Sequence, residues 1–562
     1  MVEKLEELIT MVFEKLGYNL RARVIKSNRP DISDYQCDDA FKLAKEYHKN
    51  PIELGEQVVN ELKGLENFSE YFSKVEFIKP GFINMTLSDE FINNNIRLIS
   101  SEEKYGIKNS PVETYVLDYG GPNVAKPLHV GHMRTAIVGE SIKRIIKYKG
   151  NNVICDVHLG DFGLQIGQVI YGIKQEGINI EDIDIKYLDY IYPKMSGLCK
   201  ENEEVKAECA KITKSLQDGN PEYRQLWKKI MEVSLSDIKS IYKYLDVDFD
   251  YWYGESDSYA YLDETTSILE SKNILEDSEG AKIVSVTRED DKKELPPLIF
   301  KSSIGSYLYA SCDVATILQR KKDFNPNHIL YVVDNRQSLH FEQVFRTCDK
   351  AGIMDYNSLE FLGYGTVNGQ DGKPYKTRNG DSPKLQNLFK EAKEILLSKK
   401  EMSSDVSNED IDKIVNSILK FADLQNSREK DYIFDISKFS EVVGKTGPYI
   451  LYTYLRINKI INGLSIDKLS NNIYNEFDRN LRLKILDLPN AFENAFVNRM
   501  PHFIAEYVYE LCVLANAFYQ NNHINNEEDL VKKNDWVNIL NITCSIIKEM
   551  LSLLVIEIPD SM

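Results

Sequence analysis

The sequence lacks the marks of a secreted, metal-stapled or membrane-inserted protein. Its eight cysteines (Cys37, Cys155, Cys199, Cys209, Cys312, Cys348, Cys512 and Cys544) form no Cys-x-x-Cys pair. Scattered single cysteines speak against a disulfide framework or a structural zinc site and point to a reducing compartment. No stretch offers the ~20 consecutive apolar residues a membrane span needs. The opening MVEKLEELITMVFEKLG has acids where a secretion signal needs bases. The expected location is therefore the cytoplasm, with no membrane partner. Internal repeats and low-complexity tracts are missing too, which excludes solenoid and tail-like architectures. Positive charge is scarce: the net charge is -18. Phosphate binding favours basic faces, so composition alone argues against a nucleic-acid partner. The deficit is uneven, however. It lies mostly in the first 410 residues, and the remainder is nearly balanced.

What is present is a long, ordinary globular chain. Its 562 residues predict three or four domains at ~100–200 residues each. In the first helix Leu5, Ile9, Val12, Phe13 and Leu16 share one face. Val75-Glu76-Phe77, a Pro80-Gly81 turn and Ile83 to Leu87 read as strands of a small α/β unit. That unit is expected to span 1–105. A new pattern follows. Tyr115-Val116-Leu117 is a short buried strand, and Gly120-Gly121-Pro122 is a loop. From about His129 to Lys149 the apolar residues Met133, Ile137, Ile142, Ile145 and Ile146 fall at helical spacing, with Gly150 as a stop. Val153-Ile154-Cys155 reads as a second strand. Strand, loop, helix and strand make a βαβ unit, which predicts a doubly wound parallel sheet of Rossmann-like type. This α/β domain is expected over 106–400, with an acidic, mostly helical insertion around 180–300. Ile329 to Val333 is a further strand, and Asn368 to Asp381 a polar, Gly-rich loop. Residues 401–562 read as an all-α domain.

Two motifs carry chemistry. Asn123-Val-Ala-Lys-Pro-Leu-His-Val-Gly-His132 sits where the first strand turns into its helix. A helix N-terminus presents free N–H groups and a partial positive charge, which suits phosphate. His129 and His132, three apart, share a face, and Gly131 leaves room for close approach of a nucleotide. Two imidazoles there can donate hydrogen bonds to a phosphate whose charge grows in a transition state. Alone, the four residues also allow half of a zinc site or two satisfied structural histidines, although no further Cys or His cluster completes a zinc set. The second motif, Gly372-Lys373-Pro374-Tyr375-Lys376-Thr377-Arg378, gathers cationic and hydroxyl groups in a loop. It can cover a triphosphate or be a solvated turn.

Together the motifs resemble the HIGH and KMSKS pair of class I aminoacyl-tRNA synthetases. Longer stretches resemble the arginyl-tRNA synthetases: Asp118 to Arg134 with a lysine before the first motif, His158 to Gly167, Tyr309-Ala-Ser-Cys-Asp313, Gln337 to Gln343, Tyr449 to Ile457, Pro501 to Tyr519, and Ile556 to Met562. The family more often has Asn, Trp and Thr at Val157, Phe162 and Leu164, and a Ser-Ser at Gly120-Gly121. The resemblance implies activation of arginine with ATP, followed by transfer to the terminal adenosine of the arginine tRNA. It places Asn123, His129, Gly131 and His132 on ATP. Lys126, Lys373 and Lys376 would neutralise developing charge, with Mg²⁺ carried on the pyrophosphate side and no metal held by the protein. Asp118, Asn123, Tyr309, Asp313 and Gln337 would bind arginine, Asp313 facing the guanidinium. Tyr449, Tyr452 and Met562 would contact tRNA, which makes 401–562 an anticodon-binding domain and 1–105 a tRNA-contacting one. A monomer is expected. Two other classes remain open at this point: a small-molecule nucleotidyltransferase with a HIGH-type site, and a tRNA-binding relative without catalysis.

Overall fold

Thr114–Tyr119, the run that begins the βαβ pattern, is an inner strand, β1, of a four-stranded sheet in this computed structural model. All residues of the chain are described except 304, 376–383, 400–405, 463, 465–468 and 471. The helix α1 (Val130–Tyr148) follows β1 and leads to β2 (Asn152–Asp156). Met133, Ile137, Ile142, Ile145 and Ile146 are all buried, so the apolar spacing is the helix's core face. Later strands β3 (His328–Val332) and β4 (Leu359–Phe361) complete the order β4-β3-β1-β2, with every pairing parallel. Helices α2 (Tyr309–Phe324) and α3 (Ser338–Ala351) pack on it. Val314, Ile317, Phe341, Val344 and Phe345 share one buried cluster with Val116 and Ile329 of the sheet.

The chain leaves β1 for β2 on one side, while β3 lies on the other. In doubly wound sheets ligands bind beyond the carboxyl ends of strands at such a reversal. That point lies at the ends of β1 and β3, where Tyr119 pairs with Val332.

The acidic insertion is helical only in part. Helices cover Ile185–Glu201, Glu203–Gln217, Pro221–Tyr244 and Leu262–Ser271. From Glu276 it becomes a three-stranded antiparallel sheet of Glu276–Ser278, Ala281–Val284 and Leu298–Lys301. The local pattern explains it: Leu298 and Phe300 are fully buried while Ile299 between them is 46 % exposed, a period of two.

Two compact units emerge. One joins residues 109–452, 492–506 and 549–562 and contains the parallel sheet. The other joins residues 1–108, 453–491 and 507–548. In this second unit Phe72–Ile78 and Phe82–Leu87 form an antiparallel pair around the Pro80-Gly81 turn. Its helix Glu476–Leu486 is tied in by arginines. Arg479 donates to both oxygens of Asp34 at 2.8 Å each, and buried Arg482 donates to Asn93 Oδ1 at 2.7 Å. A guanidinium bonded through several donors in fixed directions sets register as well as contact. Among the described residues no helix is long and apolar enough to cross a membrane.

Candidate active site

A cleft of about 420 Å³ opens at the carboxyl ends of β1 and β3. Asp118, Asn123, His129, Gly131, His132, Tyr309, Asp313 and Gln337, eight of the residues singled out from sequence, all line it.

The phosphate end is the N-terminus of α1. His129 caps the helix: its Nδ1 accepts from the Gly131 N–H at 3.1 Å. His132 Nδ1 accepts in turn from the His129 N–H at 3.1 Å. This is a reciprocal capping box built from imidazoles. It fixes both tautomers, because a ring nitrogen that accepts cannot carry the proton. Each Nε2 is therefore an N–H donor. Burial, then Lys126 and Arg336, push His129 down to about 4, and burial with His129 and Lys126 pushes His132 well below its ordinary value. Both rings are neutral at physiological pH and offer hydrogen bonds, not charge. The rings lie 3.9 Å apart. A Cβ at position 131 would come within 3.0 Å of the His129 ring, so the glycine makes room for the cap itself. At the end of β1, a Cβ on Gly121 would meet the His158 and Val157 carbonyl oxygens at 2.6 Å, which forbids the serine usual in the resembled family without a shift.

The cleft also has an acidic part. Tyr309 and Asp313 stand one turn apart on α2. Buried Asp313 meets His340 Nε2 of α3 at 2.6 Å, and the Tyr309 ring stacks on that imidazole with centroids 4.8 Å apart. Asp313 first, then burial, Glu255 and Asp118, push the Tyr309 phenol well above its ordinary range. Asp313, buried and lining the cleft, makes this part of it suited to a cation.

Four contributors escaped the sequence reading. Arg320, fully buried, donates to Asp118 and to Asp156 at 2.7 Å each, so Asp118 is held by a guanidinium. Glu255 follows the Leu159–Gly254 bridge, and burial pushes it up to about 7. His158 lines the cleft with φ +41 and a side chain only 10 % exposed. A left-handed non-glycine residue is strained by ~1–3 kcal/mol, and such strain gathers at functional sites. Burial pulls His158 down, but Asp156 and Asp118 outweigh it and hold it up at about 9. His340 is the fourth. Only His158 and His340 sat inside quoted motifs; the partners of Arg320 and Glu255 are distant in sequence and gave no signal.

The expected lysines are less central. Lys126 is half-buried and near enough to both imidazoles to depress them, but it does not line the cleft. Lys373 is exposed in a turn whose following residues, Pro374 and Tyr375, do line it. Lys376 lies outside the described residues. Tyr449 is half-buried and Tyr452 is 48 % exposed on the helix Gly447–Ile461, away from the cleft, as is Met562. Among the described residues no group of three or more His, Cys, Asp or Glu side chains could hold a metal ion.

A parallel sheet with a phosphate-type helix N-terminus at its carboxyl ends fits the catalytic domain of a class I tRNA synthetase. Residues 95–436 match the family described as "tRNA synthetases class I (R), catalytic domain". Residues 3–87 match "Arginyl tRNA synthetase N terminal domain", and 450–562 match "DALR anticodon binding domain". The chain is 39 % identical to the arginine–tRNA ligase of Alkaliphilus oremlandii, with all of both chains covered. It is 38 % identical to that of Francisella tularensis subsp. holarctica, covering 99 % of each. The arginyl-tRNA synthetase of Plasmodium falciparum superposes with a TM-score of 0.83 at 27 % identity, over 100 % of this chain and 99 % of that one. The chain belongs to the arginyl-tRNA synthetases. The nucleotidyltransferase alternative is not favoured, since the match extends through the helical region at the end of the chain.

Proposed function

We propose that this chain activates L-arginine with ATP and transfers it to the 3′ adenosine of the arginine tRNA. The arginine carboxylate attacks the ATP α-phosphate, and pyrophosphate leaves. A ribose hydroxyl of the tRNA then takes the aminoacyl group. Neither step needs a covalent enzyme intermediate, so the work is positioning and charge stabilisation. His129 and His132 donate Nε2–H bonds to the phosphates, with Asn123 and Gly131 beside them. Lys126, Lys373 and Lys376 neutralise charge that develops as pyrophosphate leaves. Mg²⁺ would arrive on the ATP phosphates. Asp313 receives the guanidinium, with Tyr309 and Glu255 around it, while Asp118, Asn123 and Gln337 hold the amino-acid head. Tyr449 and Tyr452 stack on splayed tRNA bases, and Met562 belongs to the same surface. The chain works in the cytoplasm, whose reducing conditions the eight free, buried cysteines fit, and as a monomer.

One observation carries this reading: buried Asp313, beside Tyr309 and His340, lines the same cleft as the phosphate-type helix N-terminus of His129 and His132. ATP–pyrophosphate exchange with each amino acid, in the presence of total tRNA, tests it. Exchange with arginine alone supports the assignment, and exchange driven by a neutral amino acid overturns it.

A further inference from the structure

Arg134, two residues past His132, is fully buried and lies at the wall of the cleft. Its guanidinium gathers four backbone carbonyls. Nη1 donates to Gly365 at 2.7 Å and Thr366 at 3.3 Å, and Nη2 donates to Arg428 and Lys430 at 3.1 Å each. Nε lies 3.5 Å from the buried Asp423 carboxylate, and the Tyr432 ring faces the guanidinium at 5.0 Å. Tyr432 in turn donates its hydroxyl to Asp423 at 3.1 Å.

These carbonyls mark the base of one small structure. Immediately after Thr366, β5 (Val367–Asn368) pairs in parallel with β6 (Tyr432–Ile433). The chain then folds back on β5. The Gly369 N–H donates to the Lys373 carbonyl at 2.8 Å, and Tyr375 N–H donates to the Val367 carbonyl at 2.9 Å. The hairpin of residues 367–375 therefore rests on β5, and β5 rests on segments whose carbonyls converge on Arg134. Further on, Leu385 N–H donates to the Leu128 carbonyl at 3.0 Å, and Lys384 bridges His129. Both flanks of the lysine-bearing motif are thus bonded to α1 or to the turn that starts it.

A planar five-donor guanidinium is suited to this task, because it can serve two strands at once in fixed directions, which an ammonium cannot. Asp423, 3.5 Å from Nε, balances the charge of this buried cation. Four of the cation's bonds go to the backbone of the two segments that carry β5 and β6. We propose that Arg134 is a positioning residue: it registers the Lys373 hairpin against the His129–His132 cap, so that cation and imidazole donors meet the same triphosphate. This rests on the phosphate role proposed above for Lys373.

The test is a double-mutant cycle of Arg134→Lys and Lys373→Ala, read by pyrophosphate exchange with arginine and total tRNA. Arg134→Lys is expected to lower kcat at least ~10-fold with arginine KM within ~2-fold, because none of the residues assigned to arginine bonds to the Arg134 guanidinium. In the Lys373→Ala background the Arg134→Lys loss should shrink to under ~3-fold, since residues acting through one another are not additive. If Lys373→Ala lowers kcat but the Arg134→Lys loss is undiminished, the positioning role is wrong and the phosphate role of Lys373 stands. An arginine KM that rises in proportion to the kcat loss also overturns it. If Lys373→Ala alone leaves kcat at the wild-type value, the phosphate role fails and the positioning role falls with it. Should Arg134→Lys not fold, Tyr432→Leu, which removes the ring beside the guanidinium and the hydroxyl on Asp423, runs the same cycle with the same criteria.

Discussion

Replacing Asp313 by Asn keeps the side-chain shape, removes its charge and turns one acceptor into a donor. Asp313 is 3 % exposed, and its Oδ2 already engages His340 at 2.6 Å. A guanidinium that enters the pocket gains a charge-assisted bond there and loses its water. A bond to a charged partner contributes ~1.5–3 kcal/mol, and leaving one partner of a buried ion pair uncompensated costs ~3–5 kcal/mol. Glu255 and Asp118 remain nearby and soften the loss, so about 3 kcal/mol is the working figure, which corresponds to ~10²-fold in affinity. Arginine KM in pyrophosphate exchange should therefore rise ~100-fold or more, while ATP KM stays within ~2-fold, because the α1 cap is untouched. Lysine should remain a poor substrate in both proteins, since its ammonium cannot fill the paired geometry that a carboxylate offers a guanidinium. A mutant with wild-type arginine KM would refute the assignment. Asp313 would then serve His340 alone, and Glu255 would become the guanidinium's partner.

Glu255, held up at about 7 by burial with Asp161 and Asp313 and opposed by His158, should make arginine binding pH-dependent. A cation favours the ionised form, so arginine affinity rises as pH climbs from 6 to 8, by up to ~10-fold, and Glu255→Gln flattens the profile; calorimetric titration across that range checks it. His158 runs with the opposite sign. Its folded value of about 9 exceeds its ordinary one, so its stabilisation is complete below about pH 6.5 and is lost as pH rises through 9. Thermal unfolding should show a loss of up to ~3 kcal/mol over that window in the wild type and a smaller one in His158→Gln. Lys376→Ala should lower kcat for adenylate formation and leave arginine KM unchanged; a raised arginine KM at unchanged kcat would show the role is wrong.

The parallel sheet was legible because its evidence is local. Strand β1, the face of α1 and strand β2 each occupy a short, periodic run, and their order dictates the crossover. The residues of the cleft were legible in the same way: His129, His132, Tyr309 and Asp313 stand in motifs at helical spacing. What the motifs hid was protonation. Nothing in His-x-x-His says that the rings cap their own helix and are held neutral, because that follows from two backbone bonds and burial. Long-range partners were hidden as well. Arg320 reaches Asp118 across 202 residues, and Arg134 reaches Gly365 across 231. The sheet at Glu276 to Lys301 was missed because its apolar runs are only a few residues long and are separated by charged turns.

Aminoacylation of total tRNA with each of the standard amino acids, paired with pyrophosphate exchange in the presence and absence of that tRNA, is the decisive measurement of the proposed activity. Arginine alone should become attached to tRNA, and exchange with arginine should be slow until tRNA is added. The acidic pocket around Tyr309 accounts for the first expectation, and family resemblance supplies the second. Efficient charging with any other amino acid would overturn the assignment, because an uncharged side chain would leave buried Asp313 without a cation and an ammonium cannot fill the paired geometry a guanidinium offers it.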